Sequence, residues 1–146
     1  MPIDRAAGSD PGRDAMRART PVTRRSGGGL AKAWLLLACA MFGSLMLSAP
    51  GTGGLIPTPW DKVAHVGFFG GLAVALGLGL GPRGIPFAFL GAVTAGVVDE
   101  GYQVLLPTRS AGLDDLLADV LGAALAVLFL RWRFAMAPRA TPSRQD

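Results

Sequence analysis

Cysteine and histidine are almost missing from this chain: each occurs once, as Cys39 and His65. A single cysteine excludes an internal disulfide and any cysteine-based metal site. Cys39 falls inside an apolar run, where a small packed side chain is expected. A single histidine leaves no metal-ligand spacing to read. His65 with Asp99, Glu100 or Asp115 has donor chemistry that suits Zn or Mn, but one imidazole assigns no metal, and no cofactor is expected. Charge is also scarce. Only 16% of residues are charged while 51% are hydrophobic, which fits membrane helices better than a soluble core. The 21 glycines agree, because small residues let apolar helices approach closely. No interleaving of basic and aromatic residues of a kind that would suit bases is seen, which argues against nucleic acid as a partner despite a formal net charge of +4.

What charge there is lies in blocks. Residues 1–32 hold seven basic and three acidic residues, whereas residues 61–119 hold six carboxylates against Lys62, Arg83 and Arg109. Four arginines and one aspartate follow residue 130. Residues 1–29 are rich in Pro, Gly, Ser and Arg with no apolar period, and read as a disordered basic tail. Residues 30–133 read as an all-α membrane domain of four helices, and residues 134–146 as a second disordered tail. The first span covers 30–49, with Lys32 at its inner edge. It is read as retained rather than cleaved, because the basic region before it is long and no small-x-small site follows. Prolines and glycines break the chain over 50–60, Trp60 suits an interface anchor, and Asp61 suits a helix N-cap. The second span covers 62–81 and contains two GxxxG pairs, Gly67/Gly71 and Gly77/Gly81, a spacing used for close helix contact.

After a tight turn at 81–86, the third span is apolar only from residue 85 to 98. That stretch covers only ~21 Å of a ~30 Å hydrocarbon core, so the helix must continue through Asp99, Glu100 and Gln103 and stop before Pro107. The fourth span covers 113–130, closed by Arg131, Trp132 and Arg133. With Arg83 and both basic ends on one side, the topology is multi-pass in the cell (inner) membrane with both termini cytoplasmic.

The segment 99–122 then stands out, since it carries half of the chain's ten carboxylates between apolar runs. Charge so placed marks a site or a partner. Counted at helical rise from Arg83 and Arg131, Asp99 and Asp115 lie ~24 Å above the inner edge, His65 ~27 Å and Asp119 ~18 Å. Asp61 and His65, Asp99 and Gln103, and Asp115, Asp119 and Gly122 each share a helix face by spacing. Those faces should turn inward and meet, because exposure to lipid would cost several kcal/mol. Asp114 points elsewhere, toward the helix N-terminal dipole. Arg109, in the outer loop, is the natural cation to fold over Asp99, Glu100 or Asp115.

Three ordered motifs resemble the VanZ-like family of membrane proteins. They are D-K-x-x-H at Asp61, Lys62 and His65; D-E-x-x-Q at Asp99, Glu100 and Gln103; and P-x-R-S with D-x-x-x-[ND]-x-x-G at Pro107, Arg109, Ser110, Asp115, Asp119 and Gly122. The similarity covers roughly residues 30–130. This chain has Thr108 where the family often has glycine, and Asp119 where it often has asparagine. The resemblance implies a bacterial integral membrane protein of the cell envelope, in a family with one member linked to resistance to the antibiotic teicoplanin.

Three functional readings stay open. The first is an outward-facing site in the outer leaflet for an anionic envelope lipid or lipid-linked cell-wall precursor, with a role in envelope maintenance or glycopeptide resistance. His65, Asp99 and Glu100 are its candidate catalytic groups, and Lys62, Gln103, Arg109, Ser110 and Asp115 its candidate substrate-binding groups. Asp61 and Asp119 complete the polar network. The second is a structural or accessory membrane protein whose polar cluster only locks four helices together. The third is a proton or ion pathway along the descending acids, opposed by the apolar stretches 85–92 and 123–130.

Overall fold

Proline and glycine punctuate the chain where its helices end. The computed structural model describes residues 27–51, 55–107 and 112–137; the tail expectations for 1–26 and 138–146 lie outside the described residues. The described residues are all-helical, with four α-helices and no strand. Helix α1 (Gly27–Ser48) stops before Pro50, with a short 3-10 turn at Ala49–Gly51. Helix α2 (Trp60–Leu80) ends where Gly81 takes φ 76°, a conformation costly for any residue with a Cβ, and its N–H bonds back to the Gly77 carbonyl at 2.9 Å. A 3-10 turn (Pro82–Gly84) leads directly into α3 (Ile85–Gln103), where Pro86 occupies the first turn and loses no hydrogen bond. Helix α4 (Leu113–Ala135) follows Gly112, whose carbonyl accepts from Asp115 and Leu116.

Several boundaries differ from expectation. Helix α1 begins at Gly27, three residues early and despite the low helix propensity of its three leading glycines, and α4 continues through Arg131–Arg133 to Ala135, because those last residues are acceptable helix formers and no breaker precedes them. Asp61 is not the N-cap. Pro59 holds that place, and Asp61 sits in the first turn, its Oδ1 accepting from the Lys62 backbone N–H at 2.8 Å. Helix α3 does run through Asp99, Glu100 and Gln103 and ends before Pro107.

Helix α2 is the centre of the arrangement, touching all three other helices and α4 most extensively. The pairs Lys62–Asp115, His65–Asp119, Gly70–Gly122 and Gly77–Leu130 climb both helices in step, so α2 and α4 run parallel. Helix α1 packs chiefly on α2, with Met41 near Gly71 and Leu35 near Gly79, so the two are antiparallel. Lys32, Arg83, Arg131 and Arg133 therefore gather toward one end of the bundle.

The closest backbone approach is not at the GxxxG pairs. A Cβ on Gly67 would meet nothing within 4 Å, and Gly81 belongs to the turn. A Cβ on Gly122, by contrast, would run into the Val66 carbonyl oxygen and stand 3.0 Å from Gly70 N. Gly70 and Gly122 are the crossing point, since the side-chain pairs flanking them fix which glycines face each other.

Side chains are distributed inside out relative to a soluble domain. The interior is mostly small residues, with Ala73, Ala88, Ala92 and Ala123 all fully buried and Phe69, Leu72, Ile85 and Leu130 the large apolar side chains among them. Leu36, Phe87, Leu90, Leu117 and Leu128 face outward, each more than half exposed. Two helices, Gly28–Gly51 with its 3-10 extension and Trp60–Leu80, are long and apolar enough to cross a membrane. Cys39 is exposed rather than packed. The neighbouring Ala38 takes the contact with the core, and Cys39 lines an apolar groove of about 420 Å³ between α1, α2 and α3, beside Phe42, Leu76 and Val98.

Candidate functional site

At the end of the bundle opposite the arginines, the interior turns polar. Asp99 and Asp119 are completely buried, Gln103 is 2% exposed and Glu100 8%. The parallel pairing of α2 and α4 brings α2's first two turns against those of α4. Lys62 Nζ there reaches Asp61 Oδ2 at 3.1 Å, Asp114 Oδ2 at 2.7 Å and Asp115 Oδ1. One ammonium thus joins three carboxylates from two helices.

One turn further in, His65 Nδ1 lies 2.7 Å from Asp119 Oδ1, and His65 Nε2 lies 4.0 Å from Asp115 Oδ1. The imidazole stacks on Phe69, with centroids 6.0 Å apart. A carboxylate on Nδ1 fixes the ring and the tautomer: Nδ1 carries the proton and Nε2 is left basic. Gly96 is what admits Asp119, because a Cβ there would stand 2.7 Å from Asp119 Oδ2.

Helix α3 supplies the third wall. Gln103 Nε2 donates to Asp99 Oδ2 at 2.7 Å, one turn apart on the same face. Glu100 Oε2 accepts the Gly112 backbone N–H at 2.8 Å, which ties the end of α3 to the start of α4. Donor atoms of His65, Asp99 and Glu100 all lie within 4.8 Å of one another. The site therefore collects His65 from α2, Asp99, Glu100 and Gln103 from α3, and Asp115 and Asp119 from α4. Arg109 and Ser110 lie outside the described residues.

Three features were not legible beforehand. Asp114 was expected to point away, yet its carboxylate is a partner of Lys62, which the first turn of α2 places alongside it. Counting from the arginines set His65 ~9 Å above Asp119, whereas the two are hydrogen-bonded. Helix α4 extends past Arg131, so that arginine is not the edge the count assumed. Gly96 is one of 21 glycines and carries no local signal of its own, although its position three residues before Asp99 puts it on the buried face.

Chemically, the arrangement offers a buried imidazole oriented by a carboxylate, beside two more buried carboxyl groups. That set can move a proton at Nε2 or ligate a cation. The described acids outnumber the described basic groups around them. No family model, curated protein or solved structure matches this chain.

Proposed function

We propose that this chain is a four-span integral protein of the cell membrane, VanZ-like in type, with both termini cytoplasmic. Its polar end faces outward, in the outer leaflet, and receives an anionic envelope lipid or lipid-linked cell-wall precursor. The observation that carries this reading is the inverted distribution of side chains. Asp99 and Asp119 are fully buried, while Leu36, Leu117 and Leu128 are largely exposed. Burying carboxylates and exposing leucines suits a protein whose surrounding solvent is hydrocarbon. The segregation of Lys32, Arg83, Arg131 and Arg133 toward the opposite end supports a cytoplasmic assignment for that end. The described helical residues of the three motifs, His65, Asp99 and Gln103, and Asp115 and Asp119, lie on separate helices and still converge, which supports treating them as one site.

In this reading the apolar groove containing Val98, the residue before Asp99, accommodates acyl chain, and the headgroup sits at the polar end. His65, held by Asp119, is the proton-transferring group. Arg109 is the principal phosphate contact, because Lys62 is already engaged by three carboxylates and would have to exchange one of them. The test is binding of phosphate-headgroup lipids to the purified protein, wild type beside Arg109→Ala. Weaker binding by the variant supports the reading, and equal affinity overturns it.

The ties around Lys62 and the Glu100–Gly112 bond favour a second reading, in which the cluster only fastens helices together. That reading expects His65→Ala to lower the amount of protein in the membrane. A site for lipid expects normal accumulation with loss of lipid binding.

A further inference from the structure

The buried acids of α3 have a feature that neither helix packing nor lipid binding accounts for. Glu100 is 8% exposed, and its Oε1 is buried with no hydrogen-bond partner among the described residues. A buried carboxylate oxygen left without a partner has lost its water and gained nothing in return. Its other oxygen is spent on Gly112 N–H, and it pairs with no lysine or arginine among the described residues. One carboxylate oxygen of Glu100 nonetheless lies within 4.8 Å of a donor atom of His65 and of one of Asp99.

We propose that His65, Asp99 and Glu100 bind one divalent transition-metal ion, with Asp119 holding the imidazole for it. The donor set is one nitrogen and two carboxylates, which suits Zn²⁺ or Mn²⁺ and disfavours Ca²⁺ and Mg²⁺, ions that take oxygen alone. Two carboxylates with a neutral imidazole carry the charge that a dication neutralises. Donors around a common ion at ~2.1 Å stand roughly 3–4 Å apart, so the cluster closes by about 1 Å on binding.

The surroundings of His65 are those of a metal ligand. Its Nδ1 is committed to Asp119 Oδ1 at 2.7 Å, which leaves Nε2 to ligate. A carboxylate behind a ligating histidine is the usual outer partner, fixing the tautomer and raising basicity. Asp115 Oδ1, 4.0 Å from Nε2, stands next in line on the Lys62 side. The Lys62 ammonium is occupied by Asp61, Asp114 and Asp115, so it does not stand in for the ion at Glu100. The inference does not depend on the lipid reading; with an ion on Nε2, His65 is a ligand, and the proton-transfer role given to it in that reading falls away. An ion here would also supply the positive charge that an anionic headgroup seeks.

The test is titration of chelator-stripped, detergent-purified full chain, free of anionic lipid, with Zn²⁺ and Mn²⁺ by calorimetry. Elemental analysis would give the stoichiometry. One ion per chain is expected for the wild type. His65→Ala and Glu100→Gln should weaken binding by at least ~100-fold. Asp119→Asn should weaken it by roughly 10–100-fold at unchanged stoichiometry, as an outer partner does. Asp119→Asn should also shift the visible absorption of Co²⁺ bound in the same site, a readout that a purely structural role would not move. Arg83→Ala, at the other end of the bundle, should bind as the wild type does. Failure of the wild type to bind either ion, or equal affinity in folded Glu100→Gln, overturns the proposal and leaves the lipid assay untouched.

Discussion

The crossing of α2 and α4 makes a sharp prediction about three glycines of similar sequence context. Gly122→Ala places a methyl against the Val66 carbonyl oxygen and 3.0 Å from Gly70 N. Both obstacles are backbone, so no rotamer change relieves them. An inserted methylene in a tight site costs typically ~1–3 kcal/mol. Backbone against backbone belongs at the upper end, ~3 kcal/mol, and better helix propensity returns ~1 kcal/mol. The net expectation is about 2 kcal/mol of destabilisation. At Gly70 the new methyl would stand 3.1 Å from the Gly122 oxygen, a mild overlap that propensity roughly cancels. At Gly67 it would meet nothing within 4 Å, so Gly67→Ala should be neutral or stabilising by up to ~1 kcal/mol. Reversible unfolding in mixed micelles, read by circular dichroism, ranks the three variants. A Gly67→Ala loss equal to that of Gly122→Ala would refute the crossing and restore the GxxxG pair. Gly122→Ala should also part His65 from Asp119, since residue 119 lies one turn before residue 122 on the same face.

Two further expectations follow from other parts of the bundle. In a double-mutant cycle on His65→Ala and Asp119→Ala, the coupling should be about 1–3 kcal/mol, because the pair is close and Asp119 is fully buried; additive losses would show that the contact contributes nothing. Single cysteines introduced at Leu55 and Arg83 in a Cys39→Ser background should react with an impermeant maleimide from opposite sides of sealed cells or inverted vesicles. Labelling from the same side would remove the four-span topology.

Local periodicity made much of this architecture readable. Asp99 and Gln103 share a face because they are four apart, and they are hydrogen-bonded to each other. The shortness of the apolar run before Asp99 was enough to extend α3 through its acids. Properties that depend on how one helix slides along another were not readable. The partnership of Gly70 with Gly122, the level of Asp119 beside His65, and the use of Asp114 all follow from the parallel register of α2 and α4. That register is set by long-range contacts between residues about fifty positions apart, which no spacing rule within a helix encodes. The exposure of Cys39 is unreadable for a related reason: a helix that is apolar all round does not announce which stripe faces inward.

The alanine interior changes how this protein can be damaged. A soluble domain most often fails when a large core residue shrinks and leaves a hole. At Ala73, Ala88, Ala92 and Ala123 there is almost no volume to remove, and nearly every replacement adds some. Random mutagenesis should therefore find its harmful lesions in growth, with alanine to valine wedging the helices apart, while trimming the outward leucines passes with little effect.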